Sequence, residues 1–264
     1  MLFDSHCHFS DEAFDDTRDD LAERIRAAGM LIADIGTDLK TSLDCVHAAE
    51  KYDFCYAVVG YHPSEVEGLT EEKLLECLEL YSNPKVVAIG EIGLDYHYDD
   101  GPDRGLQQLW FRRQLQQAVR LGAPVCIHTR DADADTLQIL KEEIFSIAKE
   151  HRPRVLMHCY SGSAELARQY VKLGAKISLA GPITYKNARR NIEVAEATDL
   201  KDLLIETDSP YLAPVPMRGK QNTPPYVEFV ARKIAEVKGI SYEEVAEQTF
   251  RNACEFYDIK GLSI

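Results

Sequence analysis

Short apolar, β-branched runs alternate along the chain with longer stretches of helical period. The runs lie at residues 2–8, 31–36, 54–60, 86–93, 125–128, 155–158, 176–180 and 203–207, and each predicts a strand. Helical periodicity fills the gaps, at 17–28, 41–52, 71–81, 106–121, 134–149, 164–173 and 187–197. Strands alternating with helices argue for βαβ units and parallel pairing. Eight such units in 264 residues fit a closed (β/α)8 TIM barrel, predicted as a single domain over 1–264. An open doubly wound sheet shares this local pattern but calls for a Gly-rich phosphate loop after an early strand. No run is followed by Gly-x-Gly-x-x-Gly, so the barrel is favoured. The Pro- and Gly-rich segment 209–225 reads as a long ordered loop before two final helices at 226–238 and 242–257. Ser241 and Glu244 have capping-box spacing, which starts the last helix there.

Residues with ligand chemistry sit where the predicted strands end. His6 and His8 close the first run, His62 follows the third, and Glu91 lies at the end of the fourth. His128 ends the fifth, His158 the sixth, and Asp208 follows the eighth. The C-terminal strand ends of a barrel line its active-site face, so these side chains are predicted to converge there. Alternation along a strand points His6 and His8 to one face and Cys7 to the other. His6, His8, Glu91, His128, His158 and Asp208 exceed what one tetrahedral ion needs, so two divalent cations are expected. Glu91 is the natural bridge, and Asp208 can hold an ion and take a proton from water. The mixed nitrogen and oxygen donors suit Zn, Mn, Fe or Ni, with Mg kept among the candidates.

Other residues carry weaker signals. His62, in Gly60-Tyr61-His62-Pro63, either contacts substrate or caps a loop. Arg130 shares the phase of His128 and either binds an anion through its planar fork or pairs with Glu206. Asp95 is expected to orient a ligand histidine. His47 and His151 are read as surface residues, and His97 is left open. Lys186, Arg189, Arg190, Arg218 and Lys220 offer a local basic rim or an ordinary solvated face. Tyr185 and Tyr211 offer stacking surfaces.

Composition narrows the functional class. Lys and Arg number 30 against 44 Asp and Glu, a formal net charge of −14, which disfavours a passive nucleic-acid coat protein. It leaves open an enzyme that handles phosphate through bound cations. No stretch approaches the roughly 18 apolar residues of a membrane span. The N-terminal Met1-Leu2-Phe3-Asp4-Ser5-His6 lacks a basic region followed by an apolar run, so a cytoplasmic protein is expected. Seven scattered cysteines with no Cys-x-x-Cys pair read as reduced, buried thiols. A monomer is the default, since no exposed apolar stripe stands out.

Six segments together resemble the TatD family. They are Phe3-Asp4-Ser5-His6-Cys7-His8, Val59-Gly60-Tyr61-His62-Pro63 and Ala88-Ile89-Gly90-Glu91-Ile92-Gly93-Leu94-Asp95-Tyr96. The others are Pro124-Val125-Cys126-Ile127-His128-Thr129-Arg130, Met157-His158-Cys159-Tyr160-Ser161-Gly162 and Leu204-Ile205-Glu206-Thr207-Asp208-Ser209-Pro210-Tyr211-Leu212. The resemblance implies a metal-dependent hydrolase in the broad amidohydrolase-like group, with DNA as substrate and, in several members, 3′–5′ exonuclease activity. It carries over the same six metal ligands and places His62 and Arg130 near substrate. Other amidohydrolase-like barrels cleave amides, lactones or esters of small molecules, which is the competing expectation. Their metals are often bridged by a modified lysine, where this chain has Glu91. Gln221-Asn222-Thr223-Pro224 departs from the family's common Arg-Asn-Glu-Pro, a difference that bears on substrate preference.

Overall fold

The structure, a computed structural model, describes residues 1–260. Eight strands form one sheet in sequence order: β1 (Phe3–Cys7), β2 (Leu31–Ile35), β3 (Cys55–Val59), β4 (Val86–Asp95), β5 (Val125–Arg130), β6 (Val155–Met157), β7 (Lys176–Leu179) and β8 (Leu203–Ile205). Neighbours pair in parallel throughout, as (β/α)8 topology requires. The helices that cover it are α1 (Arg18–Ala27), α2 (Leu39–Lys51), α3 (Glu71–Glu79), α4 (Arg104–Leu121), α5 (Asp133–Leu140), α6 (Ala164–Leu173), α7 (Arg189–Ala197), α8 (Val227–Lys238) and α9 (Tyr242–Phe256). Ser241 caps α9 by accepting the Glu244 N–H at 3.1 Å, where the sequence places the helix start.

Polar contacts close the barrel between β8 and β1. Ser5 Oγ donates to the Ile205 carbonyl at 3.0 Å, and Asp4 accepts the Thr207 N–H at 2.8 Å. Beyond the strands, Asp208 N donates to His6 O at 2.9 Å and His8 N to Ser209 O at 2.7 Å. Because Thr207 gives its N–H to a side chain, β8 stops at Ile205, two residues before the run read from the sequence. These contacts set the rungs bearing His6, His8 and Asp208 side by side.

Strands buried on both faces need apolar residues at successive positions, which is why they read as runs. Their outward side chains, Cys7 among them, join the helices in the main core. Inside the barrel, Phe3, Ala33, Val58, Ala88, Cys126, Leu156 and Leu204 pack with Phe250, Phe256 and Tyr257 at the end of α9. Tyr257 stacks on Phe3 at 5.7 Å and donates its hydroxyl to Ser5 O at 2.7 Å, sealing the N-terminal end of the barrel. The chemistry is left to the opposite rim.

Two elements differ from the sequence reading. The helix expected over 134–149 ends at Leu140 and continues as a wider π turn, Lys141–Phe145. That turn brings Glu142 and Glu143 to the same guanidinium, Arg112 on α4, at 2.6 and 2.8 Å. β4 runs past Gly93 to Asp95, because Leu94 and Asp95 keep pairing with Thr129 and Arg130. The extension carries Asp95 into the site.

Gly93 makes that extension possible. Its φ of +148° suits glycine, and an added Cβ would fall on the carbonyl oxygen of His128. Gly93→Ala is therefore expected to cost ~2 kcal/mol or more. That lowers the thermal transition by ~5 °C or more in calorimetry. An unchanged transition would mean that the two strands separate freely.

All seven cysteines are unpaired, six buried and Cys159 half-buried. Among the described residues, no helix is long and apolar enough to cross a membrane.

Candidate metal centre

Every residue picked from a strand end reaches one cluster. β1 kinks between Asp4 and Cys7, where its register against β2 shifts, and this turns His6 into the lumen with His8, their rings 5.3 Å apart. A similar shift in β4 between Ile89 and Ile92 delivers Glu91. Glu91 is the hub. Its Oε1 lies 2.8 Å from His128 Nδ1, 3.2 Å from His158 Nε2 and 3.9 Å from His62 Nε2, and its Oε2 lies 3.4 Å from His6 Nε2. Asp208 faces it from the loop after β8, with Oδ1 3.5 Å from His8 Nε2 and 3.7 Å from His6 Nε2. Ligand atoms of His6, Glu91 and His158 lie within 4.8 Å of one another, as do those of His6, His8 and Asp208 and those of His62, Glu91 and His128.

The donor set fits divalent cations. Four imidazoles and two carboxylates present nitrogen and oxygen lone pairs to one space. His6 is fully buried, and neither ring nitrogen finds a hydrogen-bond partner. A buried ring with no partner is costly, and its Nε2 faces carboxylates rather than apolar atoms.

Surrounding groups fix which nitrogens point inward. His8 Nδ1 sits 3.0 Å from the Ile35 carbonyl, which marks Nδ1 as the protonated nitrogen and leaves Nε2 for the cluster. Asp95 Oδ2 holds His128 Nε2 at 3.0 Å, so Nδ1 is the nitrogen aimed at Glu91. This is the orienting role expected of Asp95. His158 Nδ1 lies 2.8 Å from Glu206 Oε1, and the same oxygen accepts the Cys159 N–H at 2.7 Å.

Glu206 corrects the sequence reading. It was the alternative partner of Arg130, but it is fully buried behind His158. The signal was present, since Glu206 continues the inward phase of Leu204 on β8. Arg130 instead points to the rim, with its guanidinium 5.1 Å over the Tyr98 ring and Nη1 donating to Tyr98 Oη at 3.1 Å. Tyr98 lies in a loop without periodicity, and sequence reasoning missed it. His47 and His151 are exposed as expected, and His97 is exposed and paired with Asp131 at 2.8 Å.

Charge explains how the cluster holds together. Burial raises the Glu91 carboxyl, but the His158 and His6 rings and the His128 hydrogen bond outweigh it and hold it well below the usual range. Burial likewise works against ionised Asp208, and His8, His158 and His6 overcome it. Burial would lower His8, yet the Asp208 hydrogen bond and charge, with Glu91, lift it to about 9. His158 is raised, against burial, by Glu206 and Glu91. His62 goes the other way: burial and the neighbouring His128 push it down to about 3, so it is neutral. The Ser64 N–H donates to its Nδ1 at 3.1 Å, which assigns the proton to Nε2, facing Glu91.

The 221–224 segment is a strut. Asn222 is fully buried, and its Nδ2 donates to the carbonyls of Thr207 at 2.8 Å and Tyr211 at 2.6 Å, pinning the loop that carries Asp208. Gln221 donates to Ala13 O at 2.7 Å, away from the cluster. The basic rim residues Lys186, Arg189, Arg190, Arg218 and Lys220 are all exposed, with Arg189 paired to Glu193 and Arg218 lying 4.2 Å over Tyr185.

A family model described as TatD related DNase matches residues 3–258. The chain is 42% identical over 260 residues to YabD of Bacillus subtilis (strain 168), named an uncharacterized metal-dependent hydrolase, covering 98% of this chain and 100% of that one. It is 36% identical over 264 residues to YcfH of Escherichia coli (strain K12), which bears the same description, covering 98% and 96%. The crystal structure of YJJV, a TatD homologue from Escherichia coli K12, matches with a TM-score of 0.90 at 30% identity, covering 98% of both chains.

Proposed function

The chain belongs to the TatD-related DNase family of metal-dependent hydrolases, and from that premise we propose that it cleaves phosphodiester bonds of DNA, removing nucleotides from a 3′ end, with two divalent cations. The observation that carries this reading is the hub at Glu91, one carboxylate within 3.4 Å of three imidazoles and facing a second carboxylate–imidazole group at Asp208. Glu91, together with His6, His8, His128, His158 and Asp208, would hold the cations. Cations so held supply Lewis acidity toward a phosphoryl oxygen and bring the pKa of water toward neutrality.

The chain's own groups account for the rest. Asp208 is ionised and open to the cavity, so it can accept the proton of an attacking water. His62 turns its Nε2–H toward the same space and can donate it to a substrate oxygen. Arg130, at the rim, supplies a planar fork for the phosphate.

End-labelled single-stranded DNA incubated with Mg-, Mn- or Zn-loaded protein tests the proposal. Stepwise shortening from the 3′ end is expected, and chelation should abolish it. No shortening with any of the metals, together with turnover of lactones or carboxylic esters, would replace the phosphodiesterase reading. Each cation at about 100 times its Kd should also add ~2.7 kcal/mol. In a chain of this size that raises the thermal transition by roughly 5–10 °C. A transition indifferent to every cation would rule out the metal centre.

A further inference from the structure

Two cavities open beside the Glu91 cluster and share its wall at His128, His158, Asp208 and Tyr211. They differ in charge. The first, about 470 Å³, lies over β1–β3 and is lined by Asp11, Glu12, Asp34, Asp44 and Glu65. Lys40 is its one Lys or Arg, and it is paired with Asp44 at 3.0 Å. The second, about 510 Å³, lies over β5–β8 and has no carboxylate besides Asp208. Its cation, Arg130, makes no ion pair within 4.0 Å among the described residues. In a chain with a net charge of −14, an Arg without a carboxylate, and with only Nη1 engaged, on Tyr98 Oη at 3.1 Å, keeps its other donors for an anion.

Aromatic exposure favours the same cavity: Tyr98 lines this one only, and Tyr211 stands on the wall between the two with its hydroxyl 3.4 Å from Asp11 Oδ2. Tyr98, 60% exposed, and Tyr211, 55% exposed, are the exposed large aromatic side chains among the described residues, and both line it. Leu212 adds apolar surface beside Tyr211. The stretch between the lining residues Ala180 and Asn191 also carries exposed Lys186 and Arg190. Apolar rings beside an unpaired guanidinium match a ligand that is an aromatic ring joined to a phosphate.

We propose that the cavity over β5–β8 is a nucleotide subsite in which Tyr98 and Tyr211 stack on the base and Arg130 holds the phosphate, while the carboxylate-lined cavity over β1–β3 repels the polyanion. The identity of the ligand rests on the phosphodiesterase reading. The rings take a base by its face, which every base has, so the subsite is tolerant of sequence. The DNA chain then lies on one side of the metal centre only, an arrangement suited to cutting at an end.

Calorimetry on the metal-loaded protein tests this with two probes that share a phosphate, deoxyadenosine 5′-monophosphate and 2-deoxyribose 5-phosphate. Stacking predicts that the nucleotide binds the wild type at least ~5-fold more tightly than the sugar phosphate. Tyr98→Ala and Tyr211→Ala should each shrink that ratio, Tyr98→Phe should restore it, and Arg130→Gln should weaken both probes alike. Both tyrosines are exposed, so the alanine variants should keep the wild-type fold and metal content. Equal affinities in the wild type, or a ratio that survives both alanine variants, would overturn the subsite. A preserved base preference in a protein that leaves DNA uncut would sustain the subsite and remove the phosphodiesterase reading. DNA cleavage without base preference would do the reverse.

Discussion

Glu91→Gln is expected to lower kcat by at least ~10³-fold, equivalent to ~4 kcal/mol of transition-state stabilisation. The substitution keeps the shape and one carbonyl oxygen. It turns the other oxygen into an NH2 group among His6, His62, His128 and His158, all within 3.9 Å of the native carboxylate. An amide cannot lend one anionic oxygen to each of two cations, and its N–H dipoles oppose them. Metal content should fall from the two equivalents proposed for the wild type to one or none. The metal-free protein should melt within ~3 °C of wild type, because replacing a buried charge with a neutral isostere sheds its desolvation penalty along with its attractions. The stabilisation given by added metal should shrink with the lost equivalent. Wild-type turnover, or two full equivalents of bound metal, would remove Glu91 from the role of bridge.

The convergence of these side chains was legible because barrel topology turns a position along the sequence into a position in space. A residue at the C-terminal end of any strand reaches one rim, so the ends of the runs located His6, His8, Glu91, His128, His158 and Asp208 without further geometry. Period-two phase placed Cys7 in the outer core and Arg130 beside His128. Phase failed where strands kink. In β1, Ser5 reaches Ser178 across the interior at 3.3 Å while His6 also faces inward, which simple alternation forbids. The π turn after α5 was hidden because a helical period does not reveal one widened turn. Tyr98 was hidden because loop conformation has no periodic signature. Glu206 was misread for a different reason. Pairing it with Arg130 rested on opposite charge at the same rim, whereas Arg130 on β5 points to Tyr98 and Glu206, after β8, is buried behind His158.

That buried position gives Glu206 a measurable job. Glu206→Gln is expected to weaken metal binding ~10–100-fold, the usual cost of disturbing a group that orients a ligand. Both native contacts, His158 Nδ1 at 2.8 Å and the Cys159 N–H at 2.7 Å, converge on Oε1. A glutamine can keep its carbonyl oxygen there, so the His158 ring should hold its place and its tautomer. What disappears is the charge that makes the imidazole a stronger base toward a cation at Nε2. The new amide N–H groups also fall where Oε2 has no partner, which leaves donors unsatisfied in the interior. The defect should appear as a shifted midpoint in metal titrations of activity, with kcat recovering to within a few-fold of wild type at saturating metal. A residue that merely supported the fold would lower the melting temperature and leave that midpoint alone. An unmoved midpoint would therefore reduce Glu206 to packing, and would mean that the orientation of His158 is set by its burial against His6, 3.5 Å away ring to ring.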